Sequence, residues 1–284
     1  MMNVLQLFGA LELGLIYGIV ALAVYLTFRV IDFRDLTVDG SLPLGAAVSA
    51  ILIINGYNPW LALIASGIAG GVAGWITGVL STRFKIMPLL AGILTMTALY
   101  SVNIRIMGRP NIALLNDETI FTHSSNPIII TLIIVLVVKA AIIYLMNTQY
   151  ALGLRAIGKN PRVSRAMGVR VGFGIKTVLA VSNGLVALAG GLLAQLQGFA
   201  DVSMGLGTLV VGLVAIILGE KIFRNFSISG LLVSCLVGSI IYRLAISFAL
   251  NTHLFGMKAS DLNLITAVII IVTMILPGLK KRKS

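Results

Sequence analysis

The chain has 284 residues, of which 58% are hydrophobic and 11% are charged, and its mean hydropathy is +1.06. Average soluble domains carry about a quarter charged residues, so this composition argues against a water-soluble enzyme, a disordered tail and a nucleic-acid-binding module. The net charge of +12 is typical of a membrane protein whose cytoplasmic loops are rich in Lys and Arg.

Apolar stretches long enough to cross a bilayer, which takes about 20 helical residues, recur along the whole sequence. They predict an all-α polytopic membrane protein with about nine transmembrane helices. In chain order the predicted spans are 4–28, 37–55, 59–82, 86–107, 127–147, 173–197, 203–219, 227–249 and 262–279. The second and seventh are short and rich in glycine, so we expect short or broken helices near 37–55 and 203–219.

Glycines recur at four-residue spacing in the third predicted span. Gly67 is followed by Gly71, and Gly70 is followed by Gly74 and Gly78. Small residues at this spacing let helix backbones approach closely in lipid, so the pattern favours tight helix packing over a functional role.

The Lys and Arg residues between the predicted spans indicate the orientation of the chain. Sixteen of the 21 fall in segments that share one side of the membrane if the C-terminus is cytoplasmic. Because cytoplasmic loops carry the excess of basic residues, the N-terminus is predicted to lie outside.

An internal repeat relates the first two spans to the sixth and seventh. The segment GIVALA at 18–23 aligns with GLVALA at 184–189, and DGSLPLG at 39–45 aligns with DVSMGLG at 201–207. The predicted orientation gives the two copies opposite directions, so the repeat is inverted. We expect one domain, 1–284, with repeats of about 1–147 and 173–284.

Inverted repeats with interrupted helices commonly carry the solute path of a transporter. Asp39 with Ser41, and Asp201 with Ser203, stand where each short helix begins, and each can cap that helix by accepting bonds from its free N–H groups. Two interpretations stay open: caps at the membrane boundary, or caps that also face the solute path. Asn183 is a further candidate for the path, with helix packing as the alternative.

Ionisable residues inside predicted spans are costly and mark a path or an ion pair. Glu12 either meets the ammonium group of a passing amino acid or pairs with Arg105 or Arg243. For the two arginines, a side chain that extends to the outer membrane interface is favoured over contact with a solute. Lys139 is a candidate for helix or dimer packing.

The segment 148–172 is predicted to be a cytoplasmic loop that holds one short helix. Asn160 is a good N-cap, Pro161 suits the first helical position, and Gly168 suits the left-handed residue after the end. About two turns are too short to be stable alone, so a partner or the membrane domain must hold them. On composition alone, a basic loop is also explained as a determinant of orientation.

Four segments resemble the permease subunits of the branched-chain amino acid and ribose class of bacterial ABC importers. They are GLRAIGKNP at 153–161, AMGV at 166–169, IDFRDLTVDGSLPLG at 31–45 and GLGTLVVGLVAIILGE at 205–220. The segments at 31–45 and 205–220 are most similar to the tryptophan/tyrosine-type ABC permeases.

The resemblance implies a transport subunit in a bacterial cell membrane that works with other chains. Two cytoplasmic ATPases, an extracytoplasmic solute-binding protein and a second copy of the permease would complete the importer. The ATPase would dock on the segment from Gly158 to Gly168, and the residues assigned to docking are Gly158, Asn160, Pro161, Arg162, Arg165, Ala166 and Gly168. A bulky charged residue at Gly158 or Ala166 is expected to leave the fold intact and to abolish docking.

The chain lacks the chemistry of an enzyme. No phosphate-binding loop of the GxxxxGK[ST] type is present, and His123, His253 and Cys235 have no metal-ligand spacing, so we expect neither a cofactor nor a metal. The alternative function is a self-contained secondary transporter or channel with inverted repeats, which would need no ATPase.

Overall fold

The computed structural model describes residues 4–115, 117–122, 126–222 and 228–251. Within these residues the protein is almost entirely helical. The helices are α1 (Val4–Tyr25, continued by a π-helical turn, Leu26–Val30), α2 (Val38–Ile54), α3 (Pro59–Thr82), α4 (Pro88–Met107), α5 (Pro127–Met146), α6 (Gln149–Lys159), α7 (Pro161–Ala166), α8 (Val171–Gln197), α9 (Thr208–Ile222) and α10 (Ile228–Asn251).

The predicted membrane spans are confirmed wherever the structure describes them. Within the described residues, seven helical segments are long and apolar enough to cross a membrane; one of them, Val202–Ile222, joins a 3-10 turn to α9. Helix α2, with 17 residues, is a shorter apolar helix. The ninth predicted span, 262–279, lies outside the described residues.

Local sequence signals explain where several helices begin. Proline occupies the first position of α3, α4, α5 and α7, where its missing N–H costs nothing. The Asn58 side chain accepts a hydrogen bond of 2.9 Å from the backbone N–H of Trp60 at the start of α3. Gly108 and Gly198 end α4 and α8 in the left-handed conformation, with φ of 70° and 73°.

Two landmarks distinguish the ends of the helix bundle. Strand β1 (Asn111–Ala113) follows α4, strand β2 (Phe199–Asp201) follows α8, and the two pair antiparallel with Asn111 opposite Asp201. We call this end the strand face. The other end, where α6 and α7 join α5 to α8, is called the loop face.

Helix α8 is central to the core, because it packs against α1, α2 and α3. A Cβ built on Gly74 of α3 would lie 2.1 Å from the carbonyl oxygen of Leu179, and one on Gly70 would lie 2.3 Å from the Cβ of Ala187. The row of Gly70, Gly74 and Gly78 therefore brings the backbones of α3 and α8 together, as the four-residue spacing predicted.

Helix α2 begins inside the bundle and runs to the strand face. Ser41 in its first turns donates a 2.7 Å hydrogen bond to Asn183 near the middle of α8. Further along, Ser49 accepts a 3.0 Å hydrogen bond from Gln195, close to the strand-face end of α8. The residues between α1 and α2 must therefore turn back from the loop face to the middle of the bundle.

Helix α9 begins beside the start of α2 and runs the opposite way. Its first N–H groups contact Asp39 of α2, whereas Glu220 near its other end forms an ion pair with Arg29 in the π-helical turn of α1. That turn lies on the loop face, where Val30 contacts Gly158 of α6. The two short helices predicted near 37–55 and 203–219 are thus confirmed as α2 and α9.

Candidate functional site

The start of α2 is joined to the start of α9 by Asp39. Its carboxylate accepts hydrogen bonds from the backbone N–H of Leu209 at 2.8 Å and of Gly207 at 3.3 Å. These are free donors at the N-terminus of α9, where a negative charge is favoured. Asp39 was expected to cap its own helix, and that expectation is wrong: it caps α9 instead.

Asp201 caps the turn that leads from the strand face toward α9. Its carboxylate accepts hydrogen bonds from the backbone N–H of Ser203 at 2.7 Å, from the Ser203 hydroxyl and from the Asn111 amide at 3.0 Å. Burial alone would raise the pKa of the Asp201 carboxyl, but the bonds from Ser203 and Asn111 hold that pKa below its usual value. Asp201 therefore fastens the β1–β2 ribbon to this turn, as a local cap.

A buried carboxylate that the sequence interpretation missed lies next to Asp39. Asp35 is 1% exposed, and its carboxylate accepts hydrogen bonds from the Thr37 N–H at 2.9 Å and the Asn183 amide at 2.6 Å. Asn183 in turn accepts the bond from Ser41. Asp35 follows Arg34 in a segment assigned to the cytoplasmic side, and only the return of the chain into the bundle brings it to α8.

Three threonines extend this polar cluster across the bundle. The hydroxyl groups of Thr37 and Thr77 are 2.8 Å apart, and that of Thr77 donates to Thr95 at 2.9 Å. The amide of Asn103 donates to the carbonyl oxygen of Gly40 at 3.3 Å. The cluster joins α2 to α3, α4 and α8, and buried polar groups need such partners to be tolerated.

The cluster should make a measurable contribution to stability. Asn183→Ala removes a hydrogen-bond partner of the Asp35 carboxyl group and leaves a buried polar group short of a partner. We expect about 1–3 kcal/mol of destabilisation, seen as a lower midpoint of thermal unfolding in detergent. Ser41→Ala, which removes one neutral donor, is the matched control and should shift the midpoint less. An Asn183→Ala protein as stable as the wild type would contradict this account.

Of the predicted path residues, the structure exposes some and buries others. Ser41 and Asn183 are fully buried, Asp39 and Asp201 are partly exposed, and Ser203 is exposed. The burial of Ser41 and Asn183 fits the packing alternative in this conformation.

Glu12 is partly exposed on α1 and, among the described residues, enters no ion pair. The Arg243 guanidinium lies 3.9 Å from the ring centre of Tyr17 instead of meeting Glu12. The pairing considered for Glu12 is therefore not seen in the described part of the chain.

The exposed face of α4 differs from those of its neighbours. The exposed side chains of α3 and α5 are all apolar or aromatic. On α4, however, Thr97, Ser101 and Arg105 are exposed at four-residue spacing and form one row from the middle of the helix to the strand face. Leu90 and Leu94 continue the row on the loop-face side, at 45% and 46% exposure.

The exposed turn before α9 lies on the same part of the molecule. The 3-10 turn Val202–Gly205 contacts both α2 and α4. A Cβ built on Gly205 would lie 1.9 Å from the carbonyl oxygen of Asp39, so this turn can approach the start of α2 only with glycine there. Ser203 and Leu206, at either end of the contact, remain exposed.

The predicted loop helix is present as α7, and the same segment holds a second helix that was not predicted, α6. The Asn160 side chain accepts hydrogen bonds from the N–H groups of Arg162 at 3.0 Å and Val163 at 3.1 Å, Pro161 is the first residue, and Gly168 has φ of 85°. Arg162, Arg165 and Ala166 are exposed, and so are the apolar side chains of Val163 and Met167, at 49% and 78%.

Gly158 differs from the other residues assigned to docking, because it faces the bundle. A Cβ on Gly158 would lie 2.1 Å from the carbonyl oxygen of Val30. A bulky residue there must push α6 away from the π-helical turn of α1. The expectation that a Gly158 variant keeps its fold intact therefore conflicts with this packing, whereas exposed Ala166 fits that expectation.

Comparison with known proteins identifies the family. The model of a family described as "Branched-chain amino acid transport system / permease component" matches residues 6–276. The chain belongs to this permease family. The resemblance stated from the sequence is thereby confirmed, and the helices described above are those of a multi-pass transport subunit.

Relatives of this permease carry different solutes in their names. It is 40% identical over 259 residues to the tyrosine transport system permease protein of Clostridioides difficile (strain R20291), covering 91% of this chain and 86% of the relative. It is 25% identical over 216 residues to the D-allose transport system permease protein AlsC of Escherichia coli (strain K12), covering 73% and 64%.

A solved structure shares the fold of the permease. PsaBC from Streptococcus pneumoniae in complex with Fab aligns with a TM-score of 0.55 at 17% identity, covering 93% of this chain and 89% of that chain.

Proposed function

We propose that this permease is the non-enzymatic membrane subunit of an importer for an amino acid. The relative at 40% identity is named for tyrosine transport, and amino acids are also the solutes in the family description. A separate ATPase binds the loop face at α7, and a solute-binding protein binds the strand face. Two copies of the chain form the path. The loop face is then cytoplasmic, with the N-terminus of the chain outside.

The exposed row on α4 is the observation that supports the solute path most directly. Arginine and serine side chains that face hydrocarbon are costly, so in a membrane protein they face a partner or a water-filled cavity. Thr97 lies in the same row, and its hydroxyl donates to the carbonyl oxygen of Ile93 in the same helix. The apolar exposed faces of α3 and α5 suit lipid. We therefore place the path along Thr97, Ser101 and Arg105 of α4, with the exposed turn at Ser203 beside it.

The distribution of polarity along α4 gives this path a direction. The row is polar from the middle of the helix to the strand face, and apolar at Leu90 and Leu94 toward the loop face. A polar vestibule on the side of the binding protein and an apolar constriction on the side of the ATPase would hold a solute until ATP is used. Arg105, at the outer end of the row, is suited to meet the carboxylate of an arriving amino acid.

Cysteine labelling in membranes tests the path. A membrane-impermeant thiol reagent should modify Ser101→Cys and reduce uptake of labelled tyrosine to a small fraction of the unlabelled level, because the adduct obstructs the path. Ile133→Cys, exposed on α5, is the matched control and should resist the reagent in lipid. The native Cys235 is fully buried, which keeps the background low.

Three outcomes would overturn the proposal. Ser101→Cys that is no more reactive than Ile133→Cys would place the α4 row in lipid or in a closed contact. Labelled Ser101→Cys that transports normally would separate the row from the path. Uptake in vesicles that contain the permease without an ATPase would identify a self-contained transporter instead.

A further inference from the structure

A groove between α6 and the start of α8 lies on the loop face, beside the exposed helix α7. It encloses about 400 Å³ and is lined by one side of α6, including Tyr150, Leu154 and Ile157, and by Val169, Arg170 and Phe173. Its lining is mainly apolar, and no carboxylate is among the residues that line it. A mainly apolar groove with a cation among its lining residues is a candidate site for an amphipathic ligand.

The aromatic side chains around the groove place it at the edge of the bilayer. Tyr150 on α6 and Phe173 on α8 line the groove and are 42% and 50% exposed. Phe173 meets the edge of Trp75 on α3, with ring centres 6.0 Å apart. Tyrosine and tryptophan are enriched where helices pass through the lipid headgroups, so the groove opens at headgroup level.

Two cations lie near the aromatic pair of Phe173 and Trp75. Arg170 lines the groove and is exposed. Lys176, less than two turns further along α8, has its Nζ atom 5.1 Å from the ring centre of Trp75. Basic pockets between helices on the cytoplasmic side suit the headgroups of anionic lipids, and each Lys or Arg near the surface adds to the attraction.

We propose that the groove between α6 and α8 binds an anionic phospholipid, with an acyl chain against Leu154 and Phe173 and the phosphate beside Arg170. This site goes beyond the transport function and does not depend on the solute. Because α6 continues through Asn160 into α7, a bound lipid would brace the loop that docks the ATPase. The positive charge of Arg170 and the absence of acidic lining residues favour an anionic lipid over a zwitterionic one.

Lipid retention by the purified chain tests the site. The probes are phosphatidylglycerol and phosphatidylcholine, offered in equal amounts during detergent exchange, and native mass spectrometry counts the lipids that remain bound. Wild-type protein should retain phosphatidylglycerol in preference. Arg170→Gln should weaken that retention about fivefold, the equivalent of about 1 kcal/mol for one cation near a headgroup.

Two further variants make the experiment specific. Gly153→Leu should fill the groove and reduce retention of both lipids; the first carbon of its side chain meets only Val169, at 3.6 Å, so the fold tolerates it. Arg83→Gln removes an exposed cation elsewhere on the loop face and is the matched control, which should retain lipid as the wild type does.

Several results would contradict a lipid site. These are equal retention of the two lipids by the wild type, an equal loss in Arg83→Gln and Arg170→Gln, or no loss in Gly153→Leu. Displacement of phosphatidylglycerol by added ATPase would assign the groove to the ATPase. Since uptake is not measured, failure here leaves the transport proposal untouched, and failure of transport leaves this site untouched.

Discussion

Replacing Val163 of α7, or Met167 directly after it, with aspartate is expected to abolish uptake while leaving the permease folded. Both apolar side chains are exposed, at 49% and 78%, in and directly after a helix of six residues. If the ATPase covers them, an aspartate there buries an unpaired carboxylate, which costs several kcal/mol. ATPase affinity should fall by about 100-fold or more, measured by co-purification, and uptake of a labelled amino acid should fall to background.

The controls for this prediction separate docking from folding. Leu115→Asp makes the same kind of change at a site that is 85% exposed near the strand face, so it should leave ATPase binding unchanged. Ala166→Glu should behave like the α7 variants. Thermal unfolding of Val163→Asp should match that of the wild type. If the Val163→Asp and Met167→Asp proteins bind ATPase and transport normally, α7 is not the docking helix.

Gly158 serves a different purpose in the same experiment. The carbonyl oxygen of Val30 leaves no room for a side chain at this position, so Gly158→Glu should lower the yield of folded protein as well as ATPase binding. Gly158 packs against the π-helical turn of α1, and Arg29 in that turn forms an ion pair with Glu220 of α9. The glycine therefore connects α6 to α9 through this turn. A fold defect at Gly158 beside a clean docking defect at Ala166 would support that arrangement.

The helices could be predicted because their signals are local. Runs of about 20 apolar residues, proline at first positions and the Asn160 to Gly168 pattern each depend on neighbours in sequence. The short length of α2 and α9 was visible for the same reason. The four-residue glycine spacing predicted that α3 packs tightly against another helix, and the structure shows that this helix is α8.

The polar cluster could not be predicted, because its partners are distant in sequence. Asp39 lies 170 residues from Leu209, whose N–H donates a hydrogen bond to it, and Asp35 lies 148 residues from Asn183. Spacing within one segment suggests a local cap for either aspartate. Only the return of the chain after α1 places both beside helices from the second half of the chain, and the buried Asp35 needs hydrogen bonds there.

The exposed row of α4 was missed for another physical reason. In lipid, the outward face of a helix is as apolar as the face that packs inward, so hydrophobic periodicity does not show which side is exposed. Thr97 and Ser101 therefore look like ordinary residues of an apolar span. Once the exposed faces are known, α4 differs from α3 and α5, because the exposed sides of those helices carry no such row of polar residues.

The largest loss of folded protein is expected from a single methyl group where α2 crosses α8. A Cβ on Gly45 would lie 1.8 Å from the carbonyl oxygen of Ala187, and one on Gly190 would lie 1.9 Å from that of Leu42. The backbone of each helix thus occupies the space that a side chain on the other helix would need. Gly45→Ala must push the helices apart, and the buried bonds from Ser41 to Asn183 and from Gln195 to Ser49 lie on either side of the crossing.

The expected cost of Gly45→Ala combines strain with those two bonds. Overpacking costs about 1–3 kcal/mol, and each buried polar group left without its partner costs a similar amount. The total of about 5 kcal/mol approaches the whole stability of many proteins, so the variant should give little monodisperse protein in size-exclusion chromatography. Gly67→Ala adds the same methyl group on α3, 3.6 Å from the nearest atom, and should remain near the wild type. Equal yields of the two variants would mean that α2 and α8 are not held this closely, and the start of α2 would then be free to move relative to Asn183.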